Sequence, residues 1–311
     1  MQARTQTVSH GRSHPVVGFF ARILLRGCSY FPLWSLQAVG GAAGWVLACL
    51  PSQARSRSLI NLKLCLPELS ERERKRIARR ALAAMGGMVL ETGLLWRLSR
   101  ERMLALVRNV HGQEHMDAAL AANKGVILAT AHLGCWEFLC FYISAQFTET
   151  PMTAMFRPSR VREMDTLFLE GRGHLGALHV PAGVFAVRSL RRALSRGEFV
   201  IVLPDTDPKA GQSVFAPLFG VPANTSTLIP RLAHDSGAAV LCCYAERLPR
   251  GAGYDIHFAP ASEAVAGDDV PQAVAALNKD VEALIRTNPE QYLWRYRRFK
   301  RRPEGEPSFY K

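Results

Sequence analysis

GVILATAHLGCWEF, residues 125–138, is the stretch on which the fold turns. Its first half, GVILATA (125–131), is a nearly unbroken apolar run, as in strands buried on both faces of a sheet. The run leads straight into His132, then Gly134, then a helical segment carrying Glu137. Outward from it, MTAMF (152–156), FVIVL (199–203) and AAVLCCY (238–244) have the same character. YDIHFA (254–259) alternates polar and apolar, as a strand with one wetter face does. Helical segments separate these runs, which is the pattern of an α/β sheet. Three of the strands end in polar motifs: Ala131-His132, Arg157-Pro158 and Pro204-Asp205-Thr206-Asp207. Open α/β sheets bind ligands at the carboxyl ends of their strands, so the three tips are expected to converge on one site.

His132 and Glu137 are five apart, about 140° around a continuous helix, so they would not share a face there. They can meet if His132 closes the strand, Gly134 turns the chain and Glu137 lies in the first helical turn. The carboxylate would then orient the imidazole, leaving the other ring nitrogen to take a proton from a substrate hydroxyl. A chain with nine His and 26 acidic residues carries close to one such pair by chance, so spacing alone does not separate catalysis from a structural histidine. Pro158 disfavours helical geometry at Arg157 and should hold it near the sheet tip. Arg172 sits between Gly171 and Gly173, where missing side chains would let an anion approach the backbone.

Upstream, residues 27–54 contain no charged side chain. That is room for a helix of about 20 residues, the length of a bilayer span, although Gly40, Gly41, Gly44, Pro32 and Pro51 weaken the reading. VVGFFARILLRG, just before, places Phe, Ile and Leu beside Arg22 and Arg26, as interfacial segments do. We therefore expect residues 1–54 to anchor in or lie on a membrane, with buried core helices as the alternative, and residues 55–311 to form the α/β domain. Arg flanks the window on both sides, so charge does not orient it. Residues 70–97 read as a helix capped by Ser70. The net charge of +13 favours anionic partners, and all but seven of the 39 basic residues are Arg, which suits bidentate phosphate binding, with genomic codon bias an equal alternative cause. Seven cysteines without a C-x-x-C pair argue against a disulfide framework or a structural zinc site and for a reducing compartment.

Six ordered motifs carry a family likeness: GVILATAHLGCWEF, FRP (156–158), GRG (171–173), VLPDTD (202–207), FAPLFGVPANTST (215–227) and QYLWRYRRFKRRPEGE (291–306). With NLKLCLPELSERER (61–74) and the apolar N-terminal region, the chain resembles the bacterial lipid A lauroyl/myristoyl acyltransferases over nearly its whole length. The resemblance implies a mixed central sheet flanked by helices, as in glycerol-phosphate acyltransferases. It implies an acyl carrier protein or coenzyme A thioester as co-substrate, no metal or other cofactor, and an anionic phosphorylated glycolipid acceptor. It also implies an inner-membrane location with the catalytic domain on the cytoplasmic side. By the same resemblance His132 is the general base and Glu137 its partner, and Arg157 and Arg172 hold phosphate or the oxyanion. Asp205 and Asp207 shape the pocket or bind acceptor hydroxyls, and the basic tail 295–302 faces headgroups. For each of these groups a structural or surface role remains the alternative. The family usually has Asn at Cys135, Gln at Thr206 and Asp-Asn at Ser159-Arg160. These departures bear on acceptor and acyl chain more than on acyl transfer.

Other classes fare worse. GRGHLG (171–176) matches a dinucleotide-binding pattern but follows a helical segment rather than a strand. There is no G-x-S-x-G for a serine hydrolase. The aromatic and basic residues at 292–299 suit a membrane belt as well as nucleic acid, and no nucleic-acid partner is expected. An acyltransferase acting on another membrane lipid, or a non-catalytic lipid-binding protein of this fold, stays open.

Overall fold

The computed structural model describes residues 12–159, 161–208 and 211–310. Four helices come first: α1 (Pro15–Cys28), α2 (Leu33–Cys49), α3 (Gln53–Cys65) and α4 (Glu71–Leu95). Then follow α5 (Arg100–Leu104), β1 (Val107–His111), α6 (Gln113–Ala121), β2 (Val126–Gly134) and α7 (Trp136–Gln146). Next are β3 (Met152–Phe156), α8 (Arg162–Arg172), β4 (Leu178–Pro181), α9 (Val184–Ser195) and β5 (Phe199–Val202). A hairpin of β6 (Ser213–Leu218) and β7 (Val221–Ser226) precedes α10 (Leu228–Ser236), β8 (Ala239–Arg247), β9 (Tyr254–Pro260) and α11 (Val270–Thr287).

Seven strands form one mixed sheet in the order β1-β9-β8-β2-β5-β3-β4. All neighbours pair in parallel except β8 and β9, so β8, β2, β5, β3 and β4 present their carboxyl ends along one edge. β2 lies in the middle and is buried nearly throughout, which is why its sequence reads as a continuous apolar run. Alternate residues feed the two core layers. Ile127, Ala129 and Ala131 join the layer containing α10 and α11, while Val126 and Leu128 join the layer containing α7.

The apolar window 27–54 divides into the end of α1, a break at Pro32, all of α2 and a break before α3. Its glycines serve packing. A Cβ on Gly40 would lie 2.3 Å from the Gly86 carbonyl oxygen, and one on Gly44 would lie 2.2 Å from that of Leu82. α2 therefore lies backbone to backbone on α4. No single helix among the described residues is long and apolar enough to cross a membrane. The pair α2 and α3 passes by length and composition but is bent by 79°. α4 begins where Ser70 caps it, with the Ser70 and Glu73 side chains each bonding the other's backbone N–H. The C-terminal tail crosses the carboxyl edge of the sheet. Its Leu293 N–H donates to the His132 carbonyl at 3.0 Å, and Asn61 of α3 holds the carbonyls of Trp294 and Tyr296.

Candidate active site

β5 pairs with β2 in register, Ala129 opposite Val202. Three residues further along both chains stand His132 and Asp205. Their meeting is thus set by the sheet register, and two hydrogen bonds complete it. The His132 backbone N–H donates to Asp205 Oδ2 at 2.9 Å, and the imidazole Nδ1 lies 2.9 Å from Oδ1. An ionised carboxylate only accepts, so it selects the tautomer protonated at Nδ1 and leaves the Nε2 lone pair for substrate. Asp205 is buried, while His132 keeps about a quarter of its side chain exposed. Burial opposes charge on the imidazole, but Asp205, followed by Glu137, favours it, and the balance leaves the His132 pKa above its ordinary value. Burial likewise disfavours charge on Asp205, yet the contacts with His132 keep its pKa below the usual carboxylate value.

Gly134 makes the turn that follows. Its φ is +60°, and a Cβ there would lie 2.0 Å from the Ala245 carbonyl oxygen, so both backbone angle and space demand glycine. The turn puts Glu137 in the first turn of α7, where it is buried. The contact expected between Glu137 and His132 is replaced by another. Arg172, at the end of α8, grips both Glu137 oxygens through Nε (2.9 Å) and Nη2. The reason is positional: Asp205 occupies Nδ1 through strand register, while the turn at Gly134 leaves the Glu137 carboxylate in reach of α8. Burial works against the Arg172 charge, and Glu137 more than restores it.

An open cleft of about 220 Å³ lies over His132. Ala81, Ala84, Met85 and Met88 of α4 line one side, and Trp136, Tyr292 and Leu293 contribute beside the imidazole. Trp136 meets the His132 ring edge-on, with centroids 4.9 Å apart. The cleft thus places an imidazole oriented by a carboxylate against a wall of small and flexible apolar side chains, a setting able to take a hydroxyl and a hydrocarbon chain. Among the described residues no group of three or more His, Cys, Asp or Glu is arranged to hold a metal.

The model of the family described as bacterial lipid A biosynthesis acyltransferase matches residues 6–301. The chain belongs to that family. It is 36% identical over 253 residues to the lipid A biosynthesis lauroyltransferase of Escherichia coli K12, covering 80% of each chain. It is 33% identical over 260 residues to the palmitoleoyltransferase of the same organism, again covering 80% of each. Its identity to the myristoyltransferase there is 27% over 271 residues, 84% of this chain and 80% of that one. The chain is therefore an acyltransferase enzyme.

The other residues singled out in this acyltransferase are spread more widely. Arg157 is exposed just past the carboxyl end of β3 and is not among the described residues lining the His132 cleft. Asp207 anchors structure: its Oδ1 accepts from Asn224 at 2.7 Å and from Arg301 at 3.3 Å. Gly171 is needed by packing rather than by an anion, since a Cβ there would lie 2.1 Å from the Trp96 ring. The basic tail is only partly a surface. Arg298 is buried and donates to the Asn224 carbonyl at 2.6 Å, and Arg302 donates to that of Pro222 at 2.7 Å. The pairing of Asp205 with His132 escaped the motif reading, although the registers of GVILATA and FVIVL held the signal.

Proposed function

We propose that the enzyme moves a fatty acyl chain from an acyl carrier protein or coenzyme A thioester to a hydroxyl of a phosphorylated glycolipid in lipid A biosynthesis, with His132 as general base. The observation that carries this reading is the buried Asp205 carboxylate on Nδ1 of a histidine that borders an apolar cleft. Nε2 takes the acceptor proton as the hydroxyl oxygen attacks the thioester carbonyl, and Asp205 stabilises the imidazolium that forms. Glu137 and Arg172 hold α7 against α8, and their charges shape the field at His132. Relatives named for lauroyl, palmitoleoyl and myristoyl transfer show that family members differ in the chain named, and the Met-lined wall is where chain length would be read.

We also place the enzyme on the inner membrane, with its catalytic domain on the cytoplasmic side. Val16, Phe19, Phe20, Ile23 and Leu24 recur on one face of α1, each at least half exposed. Trp34, Val39, Trp45 and Val46 do the same on α2. Aromatic and aliphatic side chains on a helix face beside Arg22 and Arg26 suit the headgroup boundary of a bilayer. The test of function is direct. Purified protein given an acyl thioester and a phosphorylated disaccharide lipid acceptor should add one ester-linked acyl chain to the acceptor by mass spectrometry. Binding of both substrates with no acyl gain under any donor would overturn the reading.

A further inference from the structure

β8 runs parallel to β2 and ends beside it, with Ala245 opposite Gly134 and Arg247 two residues further on. Arg247 belongs to a network that the catalytic motifs do not include. Its Nε lies 3.0 Å from both oxygens of Glu91 on α4, and its Nη2 donates to Glu91 Oε1. Glu91 is fully buried and also accepts from Gln37 at 2.8 Å and from the Tyr254 hydroxyl at 3.0 Å. The Arg247 backbone is clamped as well, because Gln291 bonds both its N–H and its carbonyl, at 3.0 and 2.9 Å. Held side-on by Nε and Nη2, the planar guanidinium turns its third nitrogen, Nη1, away from Glu91. Nη1 is buried and finds no acceptor among the described residues, although the Arg247 side chain is only 8% exposed. Buried charged donors without acceptors are rare and call for a reason. Arg247 and His132 line the same cleft, so a substrate bound there would bring in the acceptor that Nη1 lacks.

We infer that Arg247 Nη1 is an oxyanion donor, binding the carbonyl oxygen of the acyl thioester as negative charge develops on it. The inference rests on the acyl-transfer reading above. In the step, the acceptor hydroxyl oxygen bonds to the thioester carbonyl carbon and its proton passes to His132 Nε2. The C=O pair moves onto the carbonyl oxygen, where Nη1 meets it. Collapse of that oxyanion breaks the C–S bond, and the leaving thiolate takes the proton from the imidazolium. Glu91 makes Arg247 a rigid donor, because Gln37 and Tyr254 fix the carboxylate and the carboxylate fixes the guanidinium through two bonds. A donor fixed in advance need not reorganise as charge forms, which is what transition-state stabilisation requires.

The test is the kinetics of Arg247→Lys, which keeps a cation for Glu91 and removes the Nη1 donor. With melting retained, kcat should fall roughly 10²–10³-fold while KM for the thioester stays nearly constant. A kcat within about threefold of wild type would overturn the assignment, as would a loss confined to KM, which marks a ground-state anchor. If the Lys variant does not fold, the double variant Glu91→Gln with Arg247→Met removes both buried charges together and is measured the same way. Should neither fold, Arg247 is a structural ion-pair partner and the assignment falls. His132→Ala assayed in parallel separates the two ideas. Activity retained there defeats the acyl-transfer reading, whereas activity lost there but kept in Arg247→Lys defeats this inference alone.

Discussion

The carboxyl edge of the sheet and the outer face of α1 and α2 are finished in opposite ways. At the edge, Asp205 faces His132, Glu137 faces Arg172 and Glu91 faces Arg247, so its buried carboxylates meet partners within the chain. On the helices, Phe19, Phe20, Trp34 and Trp45 are 60%, 64%, 59% and 54% exposed, with no covering element among the described residues. Burying one such side chain is worth about 1.5–3 kcal/mol, so the face has a strong tendency to find an apolar medium. The proposed chemistry therefore sits where buried carboxylates are paired, and the proposed attachment where apolar side chains are left uncovered among the described residues.

Substitutions should keep those assignments apart. The largest effect is expected at the edge. His132→Ala and Asp205→Asn should each lower kcat/KM by roughly 10²–10⁴-fold, with binding to anionic vesicles unchanged. A drop of only a few-fold in either would break the pairing of base and orienter. Glu137→Gln comes next and should act more on the fold than on proton transfer. It leaves Arg172 without its ionic partner, a loss of up to about 3 kcal/mol once the partial exposure of Arg172 is allowed for. Thermal melting reads this, and an unchanged melting temperature would return Glu137 to a purely electrostatic role. The smallest effect on turnover is expected on the helical face. Phe19→Ser, Phe20→Ser and Trp34→Gln together should release the protein from vesicles in flotation, yet leave turnover on detergent-dispersed acceptor near wild type. Unaltered flotation would sever the face from the membrane.

The parts of this molecule that could be read from sequence are those where one physical cause dominates. β2, β3, β5 and β8 were legible because buried strands show as apolar runs, β9 because its polar and apolar residues alternate, and α4 because Ser70 and Glu73 announce its start. β1 and β4 escaped because they are short, half-exposed edge strands, VRNVH and LHVP, with no apolar run to mark them. The hairpin β6–β7 was hidden by Pro217 and Pro222, which face each other across it. At the site, His132 stood out through its place after a buried strand. Its hydrogen-bond partner did not, because motifs show as spacing along the chain, and Glu137 is five residues away while Asp205 is 73. Strand register, not sequence distance, decided which carboxylate arrived. Glu91 and Arg247 were less visible still, since their pairing spans 156 residues and carries no motif.

Asp205, more than Glu137, raises the proton affinity of His132. The pH dependence of kcat/KM reports groups in the free enzyme, and a general base must be neutral to act. With the His132 pKa raised, the acid limb of the wild-type profile should lie above about 6.5, the ordinary histidine value. Asp205→Asn removes the main opponent of burial, so the limb should move to lower pH even as the plateau falls. Glu137→Gln should move it the same way by less. A limb that stays in place in Asp205→Asn, or shifts further in Glu137→Gln, would contradict the account.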